Sequence, residues 1–498
     1  MKLGPLLAGA GLPTPDGSDV EVRSIVYDSR RASKASLFVA IKGAHRDGHD
    51  HADDAVARGA VAVVAERPLP LAVPVAVVAD TRAALAGLAA ELFDHPTRKL
   101  RLAAVTGTDG KTTTVHLLSD VLEAAGERTG YATTVDFKCC DHEWANETRQ
   151  TTQEAVEVQE FFAELLVAGG TWGVLEATSH ALALEKLRGC DVDIAVFTNL
   201  SAEHLDFHGT LQAYLEAKAI LFAELLKGPG KGVEKTAVLN ADDPHWSYLA
   251  DRARPARTIT YGLDALADVQ GRIDRADASG SHVEIAAFGD TVELDLPLVG
   301  RFNVENALAA AAAGVAAGVP LERARAALAA ARPVPGRMQR VEGSQPFSVI
   351  VDYAHTPASL EKVLALLRPL TAGRLIAVFG SAGERDREKR PKMAEVASRL
   401  ADLFVITQED PRLEDPEAIL REVEAGAIAS GKRRGADYLV VPDRAEAIAA
   451  AIERAREGDT VVLCGKGHES SIIVGEEKAP WDEVGAARAA LRAHGHQA

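Results

Sequence analysis

The sequence predicts an α/β protein of three domains, and two observations carry that prediction. Short apolar runs of about five residues recur along the 498-residue chain and alternate with longer stretches of helical periodicity. This alternation is typical of a mostly parallel sheet covered by helices. Breaks at 95–97 and 333–336, rich in Pro and other turn residues, divide the pattern into three parts. We therefore expect domains over 1–98, 99–334 and 335–498.

The first domain is predicted to be a small α/β domain with two short strands and one helix. The apolar runs 37–41 and 60–65 have the length and composition of buried strands. The stretch 82–94 has the periodicity of a helix, and His95-Pro96-Thr97 ends it.

The central domain is predicted to have a P-loop-type, mostly parallel sheet with helices on both faces. A buried strand over 102–107 runs into a Gly-rich turn and then an amphipathic helix. The other predicted elements are strands at 173–177, 193–199 and 236–240, and two helices in the Ala-rich stretch 306–331, separated by Gly318-Val319-Pro320.

The third domain repeats the α/β pattern and is expected to be Rossmann-like. Its predicted strands lie at 348–352, 374–379, 403–407, 438–441 and 460–464. Pro333, Pro335 and Gly336 precede the first of them and favour a hinge between the second and third domains.

Composition limits the partners and the compartment. There are 55 Lys and Arg against 72 Asp and Glu, a net charge of −17, which argues against nucleic acid or an anionic membrane as the main partner. Four cysteines without a repeated spacing predict neither a disulfide framework nor a zinc motif. Neither a signal-peptide core nor a membrane-length apolar run is found. We expect a cytoplasmic protein that acts on small molecules, as a monomer.

The strongest local motif predicts a phosphate-binding loop. Between the first central strand and its helix stand Thr106, Gly107, Thr108, Asp109, Gly110, Lys111, Thr112 and Thr113. Glycines let backbone N–H groups approach phosphates, Lys111 can reach the β- and γ-phosphates, and Thr112 can offer a hydroxyl to Mg²⁺. The motif is not a full Walker A sequence, because Val105 replaces its first glycine. An ordinary strand–helix turn is the alternative.

Two further groups of polar residues follow predicted strands. Glu176 ends one strand, where α/β sheets place their sites, and its carboxylate can hold Mg²⁺. Alone, this residue is also compatible with a surface turn. His204, Asp206 and His208 follow the next strand at a spacing that zinc ligands could have. That interpretation is poor, because no cysteine or further histidine stands nearby in the sequence.

In number and order these motifs resemble the Mur ligase family, and the resemblance spans nearly the whole chain. The segment Thr106–Thr113 resembles the nucleotide loop of these ligases, with Asp109 where relatives usually have Asn. Glu176-Ala-Thr-Ser-His180 resembles a segment of the branch that adds a diamino acid, and 198–210 resembles the segment whose first histidine helps to hold a second Mg²⁺. The resemblance implies an ATP- and Mg²⁺-dependent amide-bond ligase of peptidoglycan precursor synthesis.

The resemblance also implies roles for nucleotide and metal ligands. The ATP ligands would be Gly107, Thr108, Asp109, Gly110, Lys111, Thr112, Thr113, Asn303, Asn306, Arg337, Asp352 and His355. The metal ligands would be Thr112, Glu176, His204 and a carbamylated Lys218, and the catalytic groups Lys111, Lys218, Glu176, His204 and Arg337. Without it, Lys218 would be a solvated helical charge and Asn303 a helix cap.

For the UDP-linked substrate, the resemblance implies contacts from the first and central domains. They would come from Ser29, in Tyr27-Asp28-Ser29-Arg30, and from Thr151, Thr152, Thr178 and Lys186. Relatives often carry Gln and Arg where this chain has Leu184 and Lys186.

The third domain would bind the incoming amino acid. The implied residues are Arg390, Glu409, Asp410, Arg412, Gly465 and Glu469. Relatives that add meso-diaminopimelate have Asp-Asn-Pro-Arg where this chain has Glu409-Asp-Pro-Arg412. Arg412 suits a distal carboxylate, whereas the three acidic side chains suit a distal ammonium. The sequence leaves meso-diaminopimelate, L-lysine and L-ornithine open.

The implied reaction has two steps. The free carboxylate of UDP-N-acetylmuramoyl-L-alanyl-D-glutamate attacks the γ-phosphate of ATP, and the amine then attacks the acyl phosphate. Asp352–Pro357 would reach toward ATP on domain closure. Two alternatives are another ligase of Mur or folylpolyglutamate type with a different acceptor, and a nucleotide-binding regulator without catalysis.

Overall fold

The computed structural model describes residues 1–43, 46–148, 150–277 and 280–498. The chain divides into two compact units. The first comprises Met1–Arg275, His282–Leu296 and Arg301–Ala331, and the second comprises Arg332–Ala498 with Ala276–Ser281 and Pro297–Gly300. The domain limits predicted at 98 and 334 stay predictions. In the described part of the chain no helix has the length and apolar character that a membrane crossing requires.

The N-terminal part of the first unit is a four-stranded parallel sheet in the order β1-β2-β3-β4. Its elements are α1 (Leu3–Gly9), β1 (Ser24–Val26), β2 (Ser36–Val39), α2 (Ala52–Ala57), β3 (Ala60–Ala65), β4 (Val75–Val77), α3 (Thr81–Leu92) and α4 (Pro96–Lys99). The Asp80 side chain caps α3 by accepting from the N–H groups of Arg82 and Ala83. The two strands and the helix predicted from the sequence are therefore confirmed.

The rest of the first unit is built on an eleven-stranded sheet. Its strands are β5 (Arg101–Thr106), β6 (Thr129–Ala132), β7 (Asp136–Cys139), β8 (His142–Ala145), β9 (Trp172–Glu176), β10 (Ile194–Phe197), β11 (Thr236–Asn240), β12 (Arg257–Gly262), β13 (Val269–Asp277), β14 (Gly280–Ala287) and β15 (Asp290–Leu296). The order is β15-β14-β13-β12-β11-β10-β5-β9-β6-β7-β8. The strands from β13 to β6 in this order are parallel, and β7 and β8 add an antiparallel edge.

Eight helices belong to this part of the described chain. They are α5 (Lys111–Ala124), α6 (Ala155–Val167), α7 (Ser179–Ala183), α8 (Leu205–His208), α9 (Leu211–Ala223), α10 (Trp246–Ala253), α11 (Arg301–Ala316) and α12 (Leu321–Ala329). Every residue of β9, β10 and β11 is buried, which is why their apolar runs are visible in the sequence. Each large apolar side chain buried there contributes about 1.5–3 kcal/mol.

The second unit has a six-stranded sheet in the order β16-β17-β21-β18-β19-β20, parallel except for β16. Its elements are β16 (Gln339–Arg340), β17 (Ser348–Asp352), α13 (Pro357–Leu370), β18 (Leu375–Phe379), α14 (Lys389–Leu400), β19 (Leu403–Ile406), α15 (Pro416–Ala429), β20 (Tyr438–Val440), α16 (Arg444–Arg454), β21 (Thr460–Cys464), β22 (Ser471–Val474), β23 (Glu477–Pro480) and α17 (Glu483–Ala493). All five strands predicted for this region are present. The alternation of strands and helices confirms the predicted α/β class.

Candidate active site

The phosphate loop connects β5 to α5, as the sequence predicts, and two glycines fix its path. The backbone of Gly110 has a φ of +83° in the left-handed region, and a Cβ there would lie 2.2 Å from Asn306 Oδ1. A Cβ on Gly107 would lie 1.8 Å from Thr198 Oγ1. Both positions therefore require glycine, because the loop passes against α11 on one side and the end of β10 on the other.

The end of β10 holds the loop through hydrogen bonds to its backbone. Thr198 Oγ1 donates to the carbonyl oxygen of Asp109 at 2.6 Å, and the N–H of Asp109 donates to Asn199 Oδ1 at 3.0 Å. The N–H of Thr108 donates to the carbonyl oxygen of Asn199 at 2.8 Å. Asp109 itself is exposed. These hydrogen bonds use the backbone of Asp109, so they do not depend on which side chain stands at this position.

Two lysines share one carbonyl of this loop. Lys111 Nζ donates to the carbonyl oxygen of Gly107 at 3.1 Å and to that of Thr108 at 2.7 Å. Lys218 Nζ donates to the same Gly107 oxygen at 2.7 Å and lies 4.3 Å from the ring centre of Tyr214. Lys218 is only 1 % exposed. Burial and the charge of Lys111 lower the pKa of Lys218 well below its ordinary value, which favours a neutral, nucleophilic amine.

Glu176 is the point where the nucleotide loop and the predicted substrate residues meet. Thr112 Oγ1 and the N–H of Thr134 each donate to Glu176 Oε1 at 2.8 Å. The carboxylate is 1 % exposed, and the hydrogen bonds it accepts from described residues come from hydroxyl and N–H groups. A buried carboxylate with neutral donors fits a cation as its counter-charge.

The predicted substrate threonines surround the same strand end. Thr152 Oγ1 donates to the carbonyl oxygen of Glu176 at 2.8 Å and lies 3.2 Å from Thr178 Oγ1. The hydroxyls of Thr151 and Thr134 are 3.0 Å apart. The structure therefore brings Thr151, Thr152 and Thr178 together at Glu176. Ser29 begins a short 3₁₀ turn after β1, and within the described part of the chain no hydrogen bond joins its side chain to this group.

Lys186 contacts the segment 150–154, which carries two of the predicted substrate threonines. Its Nζ lies 2.8 Å from Glu154 Oε1 and donates to Gln150 Oε1 at 3.2 Å and to the carbonyl oxygen of Thr152 at 3.4 Å. The ammonium is thus engaged by the segment that carries the threonines. In this position it can order that segment for the substrate.

The ring of His204 packs in a cluster with the rings of His180 and Tyr214. Its backbone is left-handed, with a φ of +56°, and it stands immediately before α8. Its ring centre lies 4.8 Å from that of His180 and 6.1 Å from that of Tyr214, the residue that also contacts Lys218 Nζ. Across the described residues, no three His, Cys, Asp or Glu side chains are arranged to hold a metal ion by themselves.

Asn303 and Asn306 lie in the first turns of α11, as predicted, and both are buried. Asn306 Nδ2 donates to Asn303 Oδ1 at 3.2 Å, and Thr114 Oγ1 donates to Asn306 Oδ1 at 3.4 Å. Together with the close approach of Asn306 to Gly110, these contacts place the amide pair beside the phosphate loop.

In the second unit, three further residues of the predicted nucleotide site cluster around Tyr353. The Asp352 carboxylate, at the end of β17, accepts from the N–H groups of Met338 and Ala354, each at 2.8 Å. The Arg337 guanidinium lies 4.7 Å from the ring centre of Tyr353, and His355 Nδ1 lies 2.9 Å from the carbonyl oxygen of Tyr353. Arg337 Nε is buried and makes no hydrogen bond within the described chain.

The residues predicted to bind an amino acid form an acidic group at the ends of β19 and β21. Lys466, which is fully buried, contacts Asp410 Oδ1 at 2.9 Å and Glu469 Oε2 at 2.5 Å. Glu409 is buried, and its Oε2 accepts no hydrogen bond from a described residue. A Cβ on Gly465 would lie 3.0 Å from that oxygen, so glycine leaves room beside it.

Arg412 is fixed to the β22–β23 hairpin by its backbone. Its N–H donates to the carbonyl oxygen of Ile473 at 3.0 Å, and its own carbonyl oxygen accepts from the N–H of Gly475 at 2.8 Å. Its backbone φ is +53°. The side-chain Nε is buried and has no hydrogen bond to a described residue, so the guanidinium is suited to bind a carboxylate.

The position of Arg390 does not agree with the role that the resemblance implies. Its side chain is 0 % exposed, and its guanidinium binds Glu414 at 2.9 and 3.0 Å and Glu422 at 2.7 Å. These carboxylates already neutralise it, so Arg390 holds the loop to α15 and its vicinity. Arg385 of the same loop is exposed and makes no ion pair with a described residue. Unlike Arg390, it has no carboxylate partner that a ligand would have to displace.

The sequence reading also missed Thr134, which follows β6. Its strand is short and was not predicted, and it reaches Glu176 only because β6 pairs with β9. The available signal was the pair Thr133-Thr134 directly after the short run Thr129–Ala132, which contains the β-favouring residues Thr and Tyr.

Comparison with known families covers most of the chain. A model described as "Mur ligase family, catalytic domain" matches residues 21–104, one described as "Mur ligase middle domain" matches 105–314, and one described as "Mur ligase, glutamate ligase domain" matches 336–467.

Individual relatives are similar over nearly their full length. The "UDP-N-acetylmuramyl-tripeptide synthetase" of Roseiflexus sp. is 50 % identical over 487 residues, 96 % of either chain. The "UDP-N-acetylmuramoyl-L-alanyl-D-glutamate--2,6-diaminopimelate ligase" of Halalkalibacterium halodurans is 46 % identical over 451 residues, 90 % of either chain. A solved structure of a ligase with the latter name matches with 32 % identity and a TM-score of 0.69 over 99 % of both chains.

Proposed function

Because the chain belongs to the Mur ligase family, and is therefore an ATP-dependent ligase, we propose that it adds a diamino acid to UDP-N-acetylmuramoyl-L-alanyl-D-glutamate in peptidoglycan precursor synthesis. The names of its full-length relatives support this substrate pair. One structural observation carries the proposal. Glu176 accepts a hydrogen bond from Thr112 of the phosphate loop and, through its carbonyl oxygen, one from Thr152 of the substrate segment.

In the first step of the proposed reaction, a substrate carboxylate oxygen attacks the γ-phosphorus of ATP. The new O–P bond forms as the bond to the β-phosphate oxygen breaks, giving an acyl phosphate and ADP. Lys111 already binds the loop carbonyls of Gly107 and Thr108, and its ammonium can turn from them to the phosphates. There it stabilises the charge that develops on the transferred group.

In the second step, the neutral amine of the diamino acid attacks the carbonyl carbon of the acyl phosphate. The C–N bond forms, phosphate leaves, and the amine loses a proton. The second unit supplies groups for both ends of an amino acid: Arg412 and the exposed Arg385 for carboxylates, and Glu409 and Glu469 for an ammonium.

The residues present fit Mg²⁺. Glu176 is a buried carboxylate without a cationic hydrogen-bond partner in the described chain, and Thr112 offers a hydroxyl beside it. We propose that Thr112, Glu176, His204 and a carbamylated Lys218 hold Mg²⁺, with His204 on the second ion that the resemblance implies; the bound ions would neutralise phosphate charge.

Carbamylation of Lys218 has its own support. Its buried amine has a lowered pKa, so the neutral form that attacks carbon dioxide is favoured. In ¹³C NMR of protein equilibrated with ¹³C-bicarbonate, we expect a carbamate carbonyl resonance that disappears in Lys218→Met. Lys231→Met is the matched control, because Lys231 is also largely buried but keeps its Asp193 partner at 2.8 Å. A resonance that survives in Lys218→Met would contradict this assignment.

The acidic pocket at the ends of β19 and β21 limits which amino acids can bind but does not select a single one. Three carboxylates, Glu409, Asp410 and Glu469, lie with the cations Lys466 and Arg412, and Glu409 also lies near the buried cations Lys389 and Arg444. The Oε2 of Glu409, which accepts no hydrogen bond from a described residue, favours a distal ammonium, and the unpaired Nε of Arg412 favours a carboxylate. We therefore propose meso-diaminopimelate, L-lysine or L-ornithine as the second substrate. We also propose that the reaction takes place in the cytoplasm and is carried out by a monomer.

The proposal is tested by phosphate release from ATP. The assay contains UDP-N-acetylmuramoyl-L-alanyl-D-glutamate and one of the three diamino acids, and the product is weighed by mass spectrometry. We expect release that depends on both substrates, with a mass gain of one amino-acid residue. An arm with a reduced folate and L-glutamate tests the folylpolyglutamate type. Release in that arm alone, or ATP binding without release in any arm, would overturn the proposed function.

A further inference from the structure

A hydrogen bond joins the two loops that carry Glu176 and His204. His208 Nε2 lies 3.0 Å from Ser179 Oγ. Ser179 is the first residue of α7, three positions after Glu176, and His208 is the last residue of α8, four positions after His204. Neither residue is among those to which the resemblance assigns a role. The bond therefore connects the segments of two predicted metal-binding residues through side chains that have no predicted role in metal binding.

The helix that carries His208 has little else to hold it in place. α8 is four residues long, and none of its residues is buried. Leu205 and Phe207 are large apolar side chains of this helix, and both are exposed. Apolar burial thus contributes little to the position of α8, and the contacts of its polar and aromatic side chains must set it.

Those contacts reach α9, where the Tyr214 ring centre lies 5.2 Å from that of His208, and the segment after β9. The His180 ring centre lies 4.2 Å from Phe207, 4.8 Å from His204 and 5.4 Å from His208. Two of these ring pairs are edge-to-face and none is a hydrogen bond, so they do not tie one particular donor to one acceptor. The His208–Ser179 hydrogen bond is directional and therefore fixes the register between α8 and α7.

The register between α8 and α7 is important because it affects the backbone of His204. A non-glycine residue with a φ of +56° persists only where its surroundings determine it. The backbone of His204 leads directly into α8, since the N–H of His208 donates to the carbonyl oxygen of His204 at 3.0 Å. A shift of the C-terminal end of α8 is therefore transmitted to His204 over one helical turn.

We propose that Ser179 and His208 are positioning residues. Their hydrogen bond locks the loop that carries His204 to the end of β9 that carries Glu176, and so fixes the distance between these two predicted metal-binding residues. The consequence for metal binding rests on the proposed function, because it uses the assigned roles of Glu176 and His204. The lock between the loops does not, and the two can be tested apart.

The lock is tested by a double-mutant cycle of Ser179→Ala, His208→Leu and the double variant. Hydrogen exchange of the segment 201–209 in the ligand-free protein is the first readout. We expect each single variant to speed exchange there, and the double variant to be no faster than the singles, because the same bond is lost in all three. Phe207→Leu removes a ring contact and leaves the bond, so its effect should add to that of Ser179→Ala. Additive effects of Ser179→Ala and His208→Leu would overturn the lock.

Metal binding gives the second readout. We expect Ser179→Ala and His208→Leu to weaken Mn²⁺ binding, measured by electron paramagnetic resonance with ADP present, by about tenfold, as found for groups that orient metal ligands. His208→Gln, whose amide can still reach Ser179, should recover most of the affinity. Unchanged Mn²⁺ affinity with faster exchange would overturn the positioning role while the lock stands. Failure of the ligase assay alone would count against the proposed function and not against the lock.

Discussion

The phosphate loop of the first unit and the acidic pocket of the second differ in what determines their geometry. The loop is set by its backbone: Gly107 and Gly110 have no room for a side chain, and Thr198 and Asn199 bond to main-chain atoms. The acidic pocket is set by pairs of charged side chains, with Lys466 shared between Asp410 and Glu469.

This difference explains why a sequence motif predicts the geometry of the phosphate loop better than that of the acidic pocket. A loop fixed by glycines and main-chain hydrogen bonds has the same shape wherever its short motif occurs. In a charged pocket, the role of each residue depends on which partners arrive from distant parts of the chain. Arg390 shows this, since its partners Glu414 and Glu422 lie 24 and 32 residues away.

The largest effect should come from removing the charge at the centre of the first region. Glu176→Gln keeps an oxygen for Thr112 and Thr134 but removes the negative charge, and we expect kcat for phosphate release to fall about 10²–10³-fold, as when one group that stabilises transition-state charge is lost. The thermal midpoint should change little. Glu216→Gln, on the exposed face of α9, is the matched control. A Glu176→Gln enzyme within threefold of the parent would show that this carboxylate is not needed for catalysis.

A matched pair of variants separates the two arginines of the charged loop. Arg390→Met leaves two carboxylates without their buried partner, and we expect a loss of at least about 2 kcal/mol in the free energy of unfolding, measured in urea. Arg385→Met should unfold like the parent and raise KM for the diamino acid roughly tenfold, the equivalent of about 1.4 kcal/mol of binding. The reverse result would restore Arg390 as the ligand contact.

The fold was largely predictable because its central strands are buried on both faces. β18 is entirely apolar, β21 is apolar at its last four positions and β17 at its middle three, so these strands stand out in the sequence. β13 was missed because its second half, Arg272–Asp277, is polar and mostly exposed. β6, β7 and β8 were missed because they are only four residues long and contain several polar residues; β8, the outermost of them, is fully exposed.

The site was predictable where its residues follow one another along the chain. The loop Thr106–Thr113 and the strand end at Glu176 are of this kind. Thr134 was not, because it reaches Glu176 only through strand pairing. Nor could the composition of Gly383–Pro391 show which arginine is buried, because that depends on carboxylates of another segment.

A smaller effect should follow from changing the charge of the acidic pocket without changing its hydrogen bonds. Asp410→Asn keeps an oxygen that can accept from Lys466 Nζ and from the N–H of Ile473. We expect the ratio of kcat/KM for meso-diaminopimelate to that for L-ornithine to rise about twofold to fivefold, because a partly screened charge contributes ~1 kcal/mol or less. Glu457→Gln, exposed before β21, is the control. An unchanged ratio would mean that Asp410 only supports the hairpin.

The last comparison concerns the acid dependence of the Arg390 ion pair. The guanidinium of Arg390 and the N–H of Glu384 hold the pKa of Glu414 at about 2, below its ordinary value of 4.5. A carboxyl with a lowered pKa adds stability that is complete above about pH 4.5 and is lost as the pH falls toward 2, since the unfolded chain takes up the proton first. We therefore expect the free energy of unfolding, measured by hydrogen exchange in peptides of β18 and β19, to fall over that interval in the parent protein. In Glu414→Gln it should fall less steeply, because unfolding takes up about one proton fewer. Parallel pH profiles for the two proteins would mean that Glu414 does not stabilise the folded unit through its charge, and that Glu422 alone neutralises Arg390.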